Sequence, residues 1–235
     1  MRVSFSSRLQ PCPPESARPT AVPEAEDLRF HVPSSWVYRS TKRLLDVALA
    51  LAGLTLLLPL VPLIVVLIKL DSRGPVVFAQ RRVGQGGHLF TCYKFRSMVQ
   101  DAESMKSGLA DLNEATGPAF KIRRDPRITE IGAFLRRSSL DEVPQLVNVV
   151  LGHMSIVGPR PQIPAEVELY DEWHRRRLEV KPGITCLWQI AGRSHIGFDE
   201  WMRLDLQYVR RRSLRLDLLI ILRTLPAVIA RKGAY

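Results

Sequence analysis

Cysteine is scarce in this chain, with three residues in 235. Cys12, Cys92 and Cys186 lie far apart and make no CxxC or Cys/His spacing. That gives neither a disulfide framework nor a structural zinc site, and the soluble part reads as reduced. Histidine is also thin. His31, His88, His153, His174 and His195 form no HExxH or comparable ligand set and read as surface or loop residues. There is no Walker motif and no GxGxxG, so neither a P-loop NTPase nor a nicotinamide enzyme is supported. No internal repeat is visible.

Acid is in short supply: 23 Asp and Glu face 34 Lys and Arg, a formal net charge of +11. Such a balance favours polyanionic partners, whether nucleic acid, an anionic membrane surface or phosphorylated substrates. The basic residues are scattered among acids and no nucleic-acid-binding motif appears, so no nucleic-acid partner is expected. With 46% hydrophobic and 24% charged residues, a packed core is within reach and bulk disorder is not expected. The length suits one domain with appendages.

Residues 1–38 are rich in Pro, Ser, Ala and Glu and read as a disordered tail. They contain no continuous apolar core of the kind a cleavable signal peptide needs. The strongest physical signal follows. Residues 47–68 carry no charge and are almost all Leu, Val, Ala or Ile. At the helical rise this run measures about 33 Å, enough for a hydrocarbon core. It predicts a membrane helix over residues 39–70. Pro59 and Pro62 fall inside it, and each removes a backbone donor. The helix can therefore span with a kink, or enter, turn and leave on one face; both flanks are basic and do not decide.

Beyond the run the pattern becomes a mixed α and β domain over residues 71–235. Residues 75–80 and 88–95 read as strands around a Gly84-Gln85-Gly86-Gly87 turn. Helical segments are expected at residues 100–112, 128–137, 143–151, 166–180 and 198–212. The last apolar stretch, residues 214–230, is broken by Arg215, Asp217, Arg223 and Pro226 and reads as an amphipathic helix at the membrane interface.

Several short constellations carry chemistry. In Arg136-Arg137-Ser138-Ser139-Leu140-Asp141-Glu142-Val143-Pro144, two carboxylates sit where a helix begins. An ionised Asp there is a competent nucleophile toward phosphorus, and a neighbouring Glu can hold a divalent cation. Ser139-x-x-Glu142 is equally a capping box, which would make Glu142 structural. Gly158-Pro159-Arg160-Pro161 is a rigid turn presenting a guanidinium suited to phosphate, or an ordinary proline turn with a solvated arginine. Lys94-Phe95-Arg96-Ser97-Met98 places two cations at a strand end, and Gly192-Arg193 offers a third cationic group beside a bare backbone.

Taken in order, these segments resemble the bacterial sugar transferase family, the monotopic phosphoglycosyl transferases. The match runs from Lys42-Arg43-Leu44-Leu45-Asp46 through Gln80-Arg81-Arg82-Val83-Gly84, Asp125-Pro126-Arg127-Ile128-Thr129 and Ser139-Leu140-Asp141-Glu142 to Pro182-Gly183-Ile184-Thr185. The resemblance implies a mainly helical α+β fold. It also implies a re-entrant membrane helix broken at Pro59, with Pro62 assisting, and a small catalytic domain facing the cytoplasm at the bacterial inner membrane. Leu58 stands where the family has serine, and Cys186 where it has glycine. Asp141 resembles the nucleophile that attacks a UDP-sugar and releases UMP, and Glu142 its partner associated with Mg²⁺. Lys94, Arg96, Arg136, Pro159, Arg160, Pro161, Arg193 and Asp217 resemble the substrate-binding surroundings. The implied partners are a UDP-sugar donor, a polyprenyl phosphate acceptor, membrane lipids and downstream glycosyltransferases, with a homodimer left open. The alternative is a non-catalytic membrane scaffold for polysaccharide assembly.

Overall fold

The computed structural model describes residues 32, 35–114, 117–118, 120–191 and 196–229. The expected tail therefore lies mostly outside the described residues, and the first helix begins inside it. Helix α1, Trp36–Leu57, is started by Ser35, whose Oγ accepts from the Tyr38 N–H at 3.2 Å. Ala and Leu then sustain it with little entropic cost. A tight turn at Leu58–Leu60 holds Pro59, and α2, Val61–Asp71, holds Pro62 in its first turn. In a first turn the absent proline N–H has no intrahelical acceptor to miss. The two prolines thus locate the break without ending the helical run.

One stripe of this run packs onto the domain. Ala50 sits among Phe90, Cys92, Val149 and Met154. Further along, Ile64 and Ile68 pack against Phe95 and Leu135. The other faces leave Leu44, Leu51, Leu56, Leu63, Val66 and Leu70 exposed. Only 11% of the apolar window is buried, so this is no core helix of a soluble protein.

Polar bonds tie both ends of the run to the same domain. Near its start, Lys42 donates to the Val157 carbonyl at 3.2 Å and Arg43 to the Val149 and Val150 carbonyls at 2.6 and 2.8 Å. The Asp46 carboxylate accepts from the Ile156 N–H at 3.0 Å. At the far end Arg96 donates to the carbonyls of Ile68, Ser72 and Pro75, and Asp71 accepts from the Ile131 N–H.

Strands β1, Val77–Val83, and β2, Leu89–Phe95, form an antiparallel hairpin with Val77 opposite Phe95 and Val83 opposite Leu89. Gly86 and Gly87 take φ of 65° and 82° in its turn, a region that glycine enters without a Cβ clash. Helix α3, Glu130–Arg137, is capped by Thr129, and α4, Gln145–Leu151, ends at Gly152 with φ 85°. Strands β3, Ser155–Val157, and β4, Gly183–Thr185, pair in parallel. The remaining helices are α5 (Pro164–Glu168), α6 (Glu172–Arg175), α7 (Leu187–Ala191), α8 (Phe198–Arg211) and α9 (Leu214–Ile229). The architecture is mainly helical, as the resemblance implies, with two small sheets, of which the sequence shows only the hairpin.

Two predicted elements differ. Residues 100–112 form a 3-10 stretch at Ser104–Leu112 rather than an α-helix. The expected amphipathic helix over residues 166–180 is three pieces: α5, α6 and a 3-10 turn at Arg176–Glu179. Asp171 restarts the chain with a capping box, its N–H donating to His174 Nδ1. The segment then bends so that Tyr170, Trp173 and Arg177 are all buried. Arg177 is 2% exposed and donates to the carboxylate of Asp205, itself 0% exposed, at 2.6 Å. It also donates to the Tyr170 hydroxyl and the Arg160 carbonyl, both at 2.8 Å.

Removing one partner of a buried pair strands the other charge, at a cost of about 3–5 kcal/mol. Arg177→Met should accordingly lower the thermal midpoint sharply in lipid nanodiscs. Adding Asp205→Leu should restore much of it, because no buried charge is then left alone.

Candidate active site

The break between α3 and α4 makes the site. Ser139 has φ 57°, the only positive φ outside glycine among the described residues. A left-handed residue carrying a Cβ costs about 1–2 kcal/mol. Such strain is typically retained where side chains must be aimed. It reverses the chain after α3 and leads into a single 3-10 turn, Leu140–Glu142, with Pro144 at the start of α4. Ser139 makes no side-chain cap and Glu142 bonds elsewhere, so the capping-box alternative does not hold.

Glu142 takes two cations on one oxygen. Lys94 Nζ, on β2, lies 2.8 Å from its Oε1, and Arg160 Nη1 lies 2.9 Å from the same atom. Among the described residues no hydrogen bond or ion pair reaches Oε2. Asp141 is treated differently. It is 7% exposed, and Lys94 approaches its Oδ2 no closer than 3.8 Å. Burial pushes the Asp141 carboxyl up; Lys94 opposes this, the Glu142 charge adds to it, and Arg136 and Arg160 draw it down. Burial acts on Glu142 in the same direction, but Arg160 and Lys94 outweigh it and hold that carboxyl well below the usual range. One carboxylate is thus clamped and permanently charged. The other is desolvated and only loosely paired, which leaves its lone pairs available for attack.

The dyad opens into a cleft of about 1150 Å³. Lys94, Arg136 and Arg160 line it beside the carboxylates, a cationic wall suited to a diphosphate. Arg136 is anchored by its Nε donating to Ser97 Oγ at 2.9 Å. Pro159 and Pro161 act through their backbone: the Pro159 carbonyl accepts from the Gly183 N–H at 2.9 Å and the Pro161 carbonyl from Arg82 Nη1 at 3.0 Å. Strands β3 and β4 pass so close that a Cβ on Gly183 would overlap the Gly158 backbone and one on Gly158 the Lys181 carbonyl.

Two predicted site residues serve other tasks. Arg96 borders the cleft, yet its guanidinium is bonded to the carbonyls that end α2. Asp217 does not line the cleft. It accepts from Tyr38 at 3.0 Å, Lys42 at 3.1 Å and Tyr208 at 2.8 Å, and so ties α1 to α8 and α9. Arg193 lies outside the described residues. Sequence reasoning passed over Arg82, Gln162, Glu166, Trp188 and Trp201, all of which line the cleft. Arg82 alone carried a signal, inside the Gln80-Arg81-Arg82-Val83-Gly84 segment.

The model of the family described as bacterial sugar transferase matches residues 37–231. The chain belongs to the bacterial sugar transferase family. The sugar transferase is 41% identical over 198 residues to the exopolysaccharide production protein ExoY of Rhizobium meliloti, covering 83% of this chain and 88% of that protein. It is 48% identical over 194 residues to the galactosyl transferase CpsE of Streptococcus agalactiae, 82% of this chain but 43% of that one. It is 40% identical over 215 residues to the UDP-glucose:undecaprenyl-phosphate glucose-1-phosphate transferase of Escherichia coli, 88% of this chain and 44% of the other. The chain thus spans less than half the length of the latter two relatives.

An Asp141 acting as nucleophile would have to be ionised, and burial raises its pKa and so moves that requirement to higher pH. The acid limb of kcat/KM should lie above the ordinary aspartate value of about 3.9. Lys94→Met removes the main charge opposing the rise, so a pH–rate profile of this sugar transferase variant should show the limb displaced further upward.

Proposed function

We propose that this sugar transferase moves a hexose-1-phosphate from a UDP-sugar to undecaprenyl phosphate through a covalent phosphosugar on Asp141, releasing UMP. This is the first membrane step in building an exopolysaccharide or related glycan. One observation carries the reading: Asp141 stands almost without an ion pair beside a Glu142 held by Lys94 and Arg160, in a cleft lined with cations. Relatives named as undecaprenyl-phosphate galactose and glucose phosphotransferases support the donor and acceptor classes. The intact carboxylate pair speaks against a non-catalytic scaffold.

In the first half-reaction Asp141 attacks the β-phosphorus. An aspartyl P–O bond forms, the bond from the β-phosphorus to the bridging oxygen breaks, and UMP leaves with that oxygen. In the second, a phosphate oxygen of the lipid attacks the same phosphorus, the P–O bond to Asp141 breaks, and the carboxylate is regenerated. Lys94, Arg136 and Arg160 offset the repulsion between two polyanions and the carboxylates. The donor set fits Mg²⁺, which takes one or two carboxylates and completes its shell with water and phosphate oxygens. Among the described residues no group of three or more acidic, His or Cys ligands is present. Asp141 and the unbonded Oε2 of Glu142 are the groups that would hold the ion. Bound there, it supplies further neutralisation of phosphate charge.

The membrane run supports a re-entrant, inner-membrane placement with the domain on the cytoplasmic side, where nucleotide-sugars are. A straight span would separate its ends by about 30 Å of hydrocarbon. Here Arg43 and Asp71 both bond to one domain. The product then passes to downstream glycosyltransferases.

With undecaprenyl phosphate, Mg²⁺ and a panel of UDP-sugars, the wild type in nanodiscs should release UMP and Asp141→Asn should fall by about 10³-fold or more while staying folded. Near-wild-type turnover in the variant would remove Asp141 as nucleophile, and UDP in place of UMP would mean a different transfer. For topology, single cysteines replacing the exposed Arg39 and Arg73 should both react with an impermeant thiol reagent from the cytoplasmic face of membrane vesicles. Labelling from opposite faces would establish a span.

A further inference from the structure

The cleft is also lined by residues that the phosphate chemistry does not use. Trp188, on α7, and Trp201, on α8, stand there with ring centroids 4.9 Å apart and planes at 48°. Gln162 and Glu166 face the same space. Three of the donors there are buried without a partner among the described residues: Gln162 Nε2, Trp188 Nε1 and Trp201 Nε1. Glu166 has no cation within ion-pair distance among the described residues. Burial pushes its carboxyl up, against the more distant charges of Arg82 and Lys106.

A buried N–H left unpaired costs about 1–3 kcal/mol, so three lining one cleft call for an acceptor that arrives from outside. We infer that Gln162, Glu166, Trp188 and Trp201 form the subsite for the donor's hexose ring and set which sugar is accepted. This rests on the donor reading above.

A carboxylate here would repel the diphosphate and is tolerated opposite a neutral group, and the mixed set of donors and acceptors suits hydroxyls. Reach favours the sugar over the uracil of the same donor. Gln162 lies two residues beyond Arg160, a chain span of at most about 7 Å. The hexose hangs directly on the β-phosphate that Arg160 faces, while the base is removed by an α-phosphate and a ribose. The tryptophans supply apolar faces for the C–H side of the ring.

The test is binding to the full chain in nanodiscs, with Asp141→Asn in every protein so that no donor is consumed. UDP-glucose, UDP-galactose, UDP-N-acetylglucosamine and UMP are titrated into this parent, and into the same protein with Gln162→Leu or Trp188→Phe added. Trp188→Phe keeps an aromatic ring and removes the indole N–H, so it preserves packing. The parent should prefer one UDP-hexose. Each added change should weaken that ligand about tenfold or more, because a site built to hydrogen-bond a hydroxyl loses its partner. UMP should change by less than about threefold. Equal weakening of UMP would place these groups at the nucleotide and overturn the sugar subsite alone. No weakening of any ligand would make them structural and overturn it too. Failure of the parent to bind any UDP-hexose would overturn the donor reading and, with it, the subsite.

Discussion

Everything at this site depends on one oxygen atom. Glu142 Oε1 receives Lys94 from the hairpin and Arg160 from the proline turn, and so joins at the dyad two parts of the chain that Arg82 and Val83 already hold together through the Pro161 and Gln162 carbonyls. Two cations on one oxygen satisfy Glu142 and leave its neighbour less so. The asymmetry separates a carboxylate for holding charge from a carboxylate for attack, although the two residues are adjacent and chemically near-equivalent. Two carboxylates placed in unequal surroundings can divide a mechanism between them.

That arrangement is held from behind by buried polar bonds. Arg177 fixes the Arg160 carbonyl while its own charge is matched by Asp205. The Pro159 and Pro161 carbonyls are taken by Gly183 and Arg82. The turn that presents Arg160 is therefore bonded at three consecutive carbonyls. This leaves the guanidinium little freedom to wander from the dyad, and a preorganised charge loses little in reorganisation when substrate arrives.

Much of the site was legible in the sequence because its residues sit in short, ordered segments whose chemistry shows in their composition. Asp141, Glu142, Lys94, Arg136 and Arg160 all meet in the cleft. What failed to show is what depends on partners distant in the chain. Arg96 reads as a substrate-binding residue until the carbonyls ending α2 appear around it, and Asp217 until Tyr38, Lys42 and Tyr208 do. Arg177 sits in a run of three arginines within a segment that reads as one amphipathic helix, and only the burial of Asp205 on α8 explains it. The unpaired donors of Gln162 and Trp188 have no one-dimensional signature at all, since an absent partner is a property of space. In the fold, the apolar run and the hairpin were plain from composition and glycine placement, while the fragmentation of residues 166–180 followed from tertiary burial overriding an amphipathic pattern.

The stripe that joins the membrane run to the domain also changes what the run is for. Ala50, Ile64 and Ile68 complete two of the hydrophobic clusters whose other members, including Phe90, Val149, Phe95 and Leu135, belong to the catalytic part. Without α1 and α2 those side chains would line an open greasy trough, and the Val149, Val150 and Ser155–Val157 backbone would lose the cations and carboxylate that meet it. The hydrophobic run is therefore a shared wall rather than a tether, with an exposed apolar face on one side and the packed domain on the other. Cutting it away would not liberate a soluble catalyst; it would remove part of the enzyme's interior.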